Sequence, residues 1–279
     1  MSDVSAATAA SNTSMLAPGA LEIDLRAPLA AFSENGWARL GIVAPDETLA
    51  LLRARIDAIM LGEVTYPGLF FQRDTATGRY DDLTYGRGWE GPSLEYRKIE
   101  KLERDPLFRA WIENPLFERV AREVIDGDIA IYRALVFAKS ARGGTELPFH
   151  QDGGRFWGLD RDPILQIWTA LDDAPIEAGC VEVVSGSHAK GLATPLGGLV
   201  PAPIVRASDV EPRVTPLPAK AGEAILIHNH LWHRSGTNAT GLARRAFTVC
   251  YMSAATRCLR TKRAPRVFTR VFEKPALDV

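Results

Sequence analysis

Ile164-Leu-Gln-Ile-Trp-Thr-Ala-Leu-Asp-Asp-Ala-Pro-Ile-Glu-Ala-Gly-Cys-Val-Glu-Val-Val184 holds two short apolar runs, rich in β-branched and aromatic residues, on either side of an Asp/Pro/Gly turn. Everything after Gly127 repeats this alternation. Apolar runs at Ile129–Ala138, Ile164–Leu171, Cys180–Val184, Val214–Leu217, Glu223–His228 and Arg245–Met252 are separated by Gly, Pro and Asp clusters. Short strands separated by turns predict a sandwich or barrel, whereas parallel βαβ units would need helical stretches between them.

Upstream the period changes. Ala27 to Glu34 predicts a short helix that stops near Asn35-Gly36, and Trp37 to Val43 predicts a strand. Pro45-Asp46-Glu47 opens a second helix, with Leu49, Leu52, Ile56 and Ile59 at helical spacing. Thr65 to Gly91, rich in Gly, Tyr, Asp and Arg, predicts irregular structure. Pro106 to Ile125 predicts one or two helices interrupted at Asn114-Pro115, because a residue before proline avoids the helical region. The expectation is therefore helices first and a β-sandwich core afterwards, within one domain over residues 20–279. The Ala/Ser/Thr-rich stretch 1–19 has neither a positive start nor a continuous apolar run, and is expected to be a disordered tail.

Composition narrows the class. Among 279 residues, Lys and Arg total 33 and Asp and Glu 34, a net charge of −1. That argues against a nucleic-acid partner held by bulk positive charge. No apolar run approaches the roughly 18 residues of a membrane span. The three cysteines, Cys180, Cys250 and Cys258, form no CxxC and suit a reducing, cytoplasmic setting. Arg257 to Lys274 is basic, and reads as a solvated face or as a flap that neutralises an anionic substrate.

The chemistry concentrates in two places. In Phe149-His150-Gln151-Asp152-Gly153-Gly154, the His and Asp are two apart, so on a strand both side chains leave one face. An imidazole and a carboxylate supply two ligands for a divalent metal. The run Glu223 to Asn238 contains His228, His230 and His233, three of only five histidines in the chain. One of them at a strand end would complete the two-His, one-carboxylate facial triad of non-haem Fe(II) oxygenases, although the same ligands also suit zinc. Arg244 and Arg245 follow the next turn. A guanidinium is a forked donor that holds a carboxylate bidentately, as a 2-oxoacid cosubstrate requires and a hydrolytic zinc site does not.

On these residues the chain resembles the phytanoyl-CoA dioxygenase family of Fe(II)/2-oxoglutarate-dependent oxygenases, from about Leu29 to Tyr251. His150-Gln-Asp-Gly-Gly-Arg-Phe-Trp157 is similar to the family's first ligand motif, and Ile167 to Ala174 to its next core strand. Glu177-Ala-Gly-Cys-Val-Glu-Val-Val-Ser-Gly-Ser-His188 resembles its "NGC…PGSH" turn, with Ala178 for asparagine and Ser185 for proline. His233-Arg-Ser-Gly-Thr-Asn238 resembles the second ligand motif, and Arg244 follows His233 at the family's spacing of eleven residues.

The resemblance implies a double-stranded β-helix (jelly-roll, cupin-like) core, mainly β, with flanking N-terminal helices packed on one sheet. It implies iron held by His150, Asp152 and His233, and 2-oxoglutarate held by Arg244, Ser235, Trp168, Lys98 and Leu135. Phe156 and Trp157, directly after the metal motif, would wall the substrate pocket or pack in the core. His228 and His230 would pack or support the ligands, and His188 would cap a turn. Dioxygen and a small-molecule substrate would be the partners, with no nucleic acid or membrane, in a monomer or homodimer. The carboxylate at 152, where related halogenases have a small residue, favours hydroxylation, or an outcome such as desaturation, over halogenation. The competing readings are a metal-dependent hydrolase and a non-catalytic binding protein on the same fold.

Overall fold

The structure, a computed structural model, describes residues 22–141, 143–261 and 266–274. The expected tail at 1–19, and Lys262 and Arg263 of the basic segment, lie outside the described residues.

Proline, acidic residues and glycine punctuate the helices. Helix α1 (Arg26–Asn35) ends at Gly36, whose left-handed backbone (φ 79°) lets its N–H reach the Phe32 carbonyl. Helix α2 (Asp46–Leu61) follows Pro45, carries Asp46 and Glu47 in its first turn, and ends at left-handed Gly62. Its Leu49, Leu52, Ile56 and Ile59 are all buried in one cluster with the core. Each such side chain contributes about 1.5–3 kcal/mol when fully buried. The Asn114-Pro115 break separates α3 (Pro106–Ile112) from α4 (Pro115–Val124), each with proline in its first turn.

Asp105 caps α3 by accepting the Leu107 and Phe108 N–H groups at 2.8 and 3.1 Å. Its other oxygen meets Arg55 at 2.9 Å and the Tyr66 hydroxyl at 2.8 Å, tying α2 to α3. Asp105→Ala removes a cap and charged hydrogen bonds together, an expected loss of about 3 kcal/mol. Urea unfolding would show it as a lower midpoint at unchanged slope.

The strands are β1 (Trp37–Ile42), β2 (Phe70–Arg73), β3 (Tyr96–Glu100), β4 (Ile129–Lys139), β5 (Leu147–Gln151), β6 (Leu165–Ala170), β7 (Val181–Val184), β8 (Gly198–Leu199), β9 (Val214–Leu217), β10 (Glu223–His228), β11 (His233–Ser235), β12 (Arg244–Ser253) and β13 (Thr269–Phe272). The larger sheet runs β1-β10-β6-β12-β4-β3-β2, with β13 also on β4; the smaller runs β8-β5-β11-β7-β9. All of these pairings are antiparallel. Helices α2, α3 and α4 share a core with Ile167, Leu226, Phe247 and Val249 of the larger sheet. Trp168, Ile225 and Ala246 of that sheet instead meet Val181 and Val183 of the smaller one. Two facing antiparallel sheets with helices on one outer face make the expected double-stranded β-helix.

Strands β2, β3 and β13 depart from the sequence reading. β2 lies inside the stretch expected to be irregular. β3 (Tyr-Arg-Lys-Ile-Glu) has no clean apolar alternation because its polar side chains face a cavity. β13 lies in the basic stretch, where Arg270 pairs with Asp128 at 3.1 Å.

A bulge in β4 sets up the site. Opposite the adjacent Cys250 and Tyr251 of β12 stand Arg133 and Ile131, so Tyr132 is the extra residue. Before the bulge, Ile129 and Ile131 pack towards the helices; after it, Ala134, Val136 and Ala138 do. Arg133, Leu135, Phe137 and Lys139 are thereby turned into the space between the sheets.

Candidate metal centre

His150 on β5 and His233 on β11 are direct register partners, so their side chains leave adjacent strands side by side. Their ring centroids are 3.9 Å apart. Asp152 stands one residue past the end of β5, where its N–H donates to the Asn229 carbonyl at 2.8 Å. The three donor atoms lie within 4.8 Å of one another, and His233 Nε2 is 3.8 Å from Asp152 Oδ2. Among the described residues this is the one such group of His, Cys, Asp and Glu.

Local hydrogen bonds aim these donors. His150 Nδ1 lies 3.0 Å from the Pro148 carbonyl and His233 Nδ1 2.9 Å from the Leu231 carbonyl. A carbonyl only accepts, so each Nδ1 carries the hydrogen and each Nε2 keeps its lone pair for a metal. Burial first, and the neighbouring His233 ring second, lower the His150 pKa to about 3, so its ring is neutral. Burial alone would push the Asp152 carboxyl up. Arg133 leads the neighbours that outweigh burial and hold it well below the usual carboxylate range.

Two residues that fix Asp152 escaped the sequence reading. Arg133 Nη2 donates to Oδ1 at 2.8 Å and Gln166 Nε2 to Oδ2 at 2.7 Å. Each is a long polar residue flanked on both sides by apolar or aromatic ones, and that was the available signal. Gln166→Leu frees one carboxylate oxygen to rotate and should weaken metal affinity about 10- to 100-fold. A calorimetric Mn(II) titration would measure it.

Beside the triad lies a narrow cavity of about 60 Å³, room for a molecule a few waters in size. Its walls include Trp168, Ser235 and Arg244, and the ligands His150, Asp152 and His233. Arg244 is 3% exposed. Its guanidinium donates to the backbone carbonyls of Gly179 and Ala178, and among the described residues it has no carboxylate partner. Burial lowers its pKa to about 10, which leaves it charged at neutral pH. Strand alternation separates it from Arg245, which points outward to Asp172 and Asp57, at 2.8 Å each. Thr248 Oγ1, on another wall of the cavity, is buried with no hydrogen-bond partner among the described residues.

Not every expected residue lines this cavity. Lys98 is in a wider outer cleft instead, its Nζ 2.5 Å from Glu100 two residues along the same strand face. Its neighbour Arg97 is the β3 residue that reaches the cavity. Leu135 is fully buried on the inward face of β4, but Phe137 and Lys139 form the wall. The outer cleft, about 520 Å³, opens onto His150 and Asp152 and is lined by Phe156 and Trp157 among others. Phe156 is 63% exposed, whereas Trp157 is buried, stacked on Tyr132 at 4.1 Å with Arg133 over its face at 4.7 Å. The remaining histidines are engaged elsewhere. His230 Nε2 is 3.0 Å from Asp162, His228 accepts the His230 N–H, and His188 Nε2 reaches the Ser33 carbonyl from a short turn.

Residues 32–246 match the phytanoyl-CoA dioxygenase (PhyH) family. The chain belongs to that family. Among curated PhyH relatives, phytanoyl-CoA dioxygenase domain-containing protein 1 of Mus musculus is 28% identical over 166 residues, covering 54% of each chain. The chain thus spans about half the length of this relative. The peroxisomal phytanoyl-CoA dioxygenase of Mus musculus is 27% identical over 241 residues, covering 82% of this chain and 68% of that one. Among solved structures, EctD from S. alaskensis with 2-oxoglutarate and 5-hydroxyectoine superposes with a TM-score of 0.68 at 20% identity, covering 94% of this chain and 90% of that one. The epimerase SnoN in complex with Fe3+, alpha ketoglutarate and nogalamycin RO gives 0.63 at 18% identity, covering 86% and 88%. Both likenesses concern the fold. Among the described residues, no helix is long and apolar enough to cross a membrane.

Proposed function

We propose that this PhyH-family chain is an Fe(II)- and 2-oxoglutarate-dependent dioxygenase that hydroxylates an unactivated C–H bond of a small metabolite or biosynthetic intermediate, releasing succinate and carbon dioxide. The observation that carries this reading is a buried, acid-free arginine sharing one narrow cavity with a two-His, one-carboxylate triad. The donor set fits a ferrous ion: two imidazoles whose Nδ1 atoms face backbone carbonyls, which aims their Nε2 atoms inward, and one fixed carboxylate. Bound there, iron supplies dioxygen activation coupled to oxidative decarboxylation of the 2-oxoacid.

The protein's own groups do the rest. His150, Asp152 and His233 would hold the ion. Arg244 receives the distal carboxylate of 2-oxoglutarate as a fork, and Ser235 adds a hydroxyl. Trp168, Val181 and Ile227 form apolar walls that exclude water from the cosubstrate. The outer cleft, large enough for a drug-sized molecule, holds the substrate above the triad, with Phe156 at its rim and Trp157 in its wall. A hydrolase would need a general base beside the metal. Among the described residues lining the inner cavity, Asp152 is the one carboxylate, and it is a ligand.

Anaerobic mixing with Fe(II) and 2-oxoglutarate should give a visible iron-to-oxoacid charge-transfer band, and admission of air should give succinate. A wild-type protein that shows no band contradicts the proposal. With candidate substrates, a product heavier by one oxygen marks hydroxylation. An unchanged or two-hydrogen-lighter product marks rearrangement or desaturation.

A further inference from the structure

Besides Arg234, which is paired with Glu182 and Glu211, three basic side chains line the inner cavity: Arg97, Lys139 and Arg244. All three are buried, and among the described residues none is in an ion pair. Arg97 donates to the Gln72 side chain at 2.8 Å, Arg244 to backbone carbonyls, and Lys139 Nζ to the Thr145 carbonyl at 2.6 Å. Lys139 closes β4 directly opposite Arg244 in the β4/β12 register. Gly144, at φ +56°, packs on its stem, where an added Cβ would lie 2.6 Å from Lys139 Cβ and push the side chain aside.

Charge accounting makes Lys139 unusual. Arg97 and Arg244 face it from β3 and β12. The acids near it are Asp74, after β2, and Glu146, before β5. Asp74 is committed to the Ser140 and Thr145 N–H groups at 3.1 and 2.8 Å, and Glu146 is exposed and screened by water. An ammonium buried beside two guanidiniums without its own counter-ion is costly, and shedding a proton relieves the cost. Burial, then Arg244 and Arg97, accordingly push the Lys139 pKa well below its ordinary value. A dianion in the cavity reverses that field.

We propose that Lys139 is a second cationic contact for the carboxylate held by Arg244, and that filling the cavity with a dicarboxylate loads a proton onto Lys139. This rests on the 2-oxoglutarate reading above and adds a residue and a proton to it. Cosubstrate affinity then falls as pH rises, because binding takes up a proton.

The test is calorimetric titration of 2-oxoglutarate into the full-length, Mn(II)-loaded protein at pH 8, in two buffers of different ionisation enthalpy. Wild type should show heats that differ between buffers by up to one proton taken up per ligand. Lys139→Met should abolish the uptake and weaken binding about 10- to 100-fold. Lys139→Arg, always charged, should bind within about threefold of wild type but take up no proton. The arginine variant keeps the test open if the methionine variant misfolds. Wild-type binding without proton uptake, or Lys139→Met indistinguishable from wild type, overturns the proposal. Wild type that binds Mn(II) but not 2-oxoglutarate overturns the cosubstrate reading itself, and this inference with it.

Discussion

Asp152→Ala should lose metal and stability together. The substitution deletes the only anionic donor of the triad, so Mn(II) affinity should fall by at least about 1000-fold, or about 4 kcal/mol. It also strands Arg133, held above its ordinary pKa range against its burial by Asp152 and Glu100. Removing one partner of a buried pair costs about 3–5 kcal/mol, most of it the penalty for the charge left behind. A second substitution separates the two effects. Arg133→Met with Asp152→Ala removes the stranded cation, and should recover most of the unfolding free energy without recovering metal. Urea unfolding of the metal-free proteins and Mn(II) calorimetry read the two losses independently. Equal stability of the single and double variants would contradict the pairing argument.

Arg244→Ala should do the converse, sparing the metal and losing the cosubstrate. Its guanidinium touches no ligand of the triad, and Mn(II) affinity should stay within about twofold. The lost fork is worth about 3–4 kcal/mol, from two charge-assisted hydrogen bonds, so 2-oxoglutarate binding should weaken about 100- to 1000-fold. Arg244→Lys keeps the charge but not the fork, and should fall between the two. Retained 2-oxoglutarate affinity in the alanine variant would place the distal carboxylate elsewhere in the cavity.

These two variants also show what the sequence could and could not reveal. The β core was legible because its strands bury one or both faces, and uniform apolar runs between turn residues mark that state. β3 was not legible, because Arg97 and Lys98 occupy positions where a periodic pattern expects apolar side chains. The resemblance to the family's motifs singled out His150, Asp152, His233 and Arg244 as a group. The pairing of His150 with His233 across β5 and β11 is a register fact that spacing cannot contain. Arg133 lies inside the apolar run Ile129–Ala138, and Lys139 directly follows it. Which face they take depends on the extra residue at Tyr132, and a bulge of one residue leaves no mark in composition. Lys98 shows the opposite failure: a basic residue in the expected segment satisfied itself with Glu100, and its neighbour turned to the cavity.

The smaller sheet has one more consequence. β8 has two residues and β11 three, so few ladder hydrogen bonds hold these strands in place. The triad joins β5, β11 and the chain just beyond β5 at one point. An ion there is a removable cross-link as well as a reagent. At 100 times its dissociation constant it would add about 2.7 kcal/mol to the folded state. Chelation should therefore soften the smaller sheet first, seen as faster amide exchange in β5 and β11 while the helix-backed strands β6 and β12 stay protected. Iron loading and proteolytic survival of this chain would then rise and fall together.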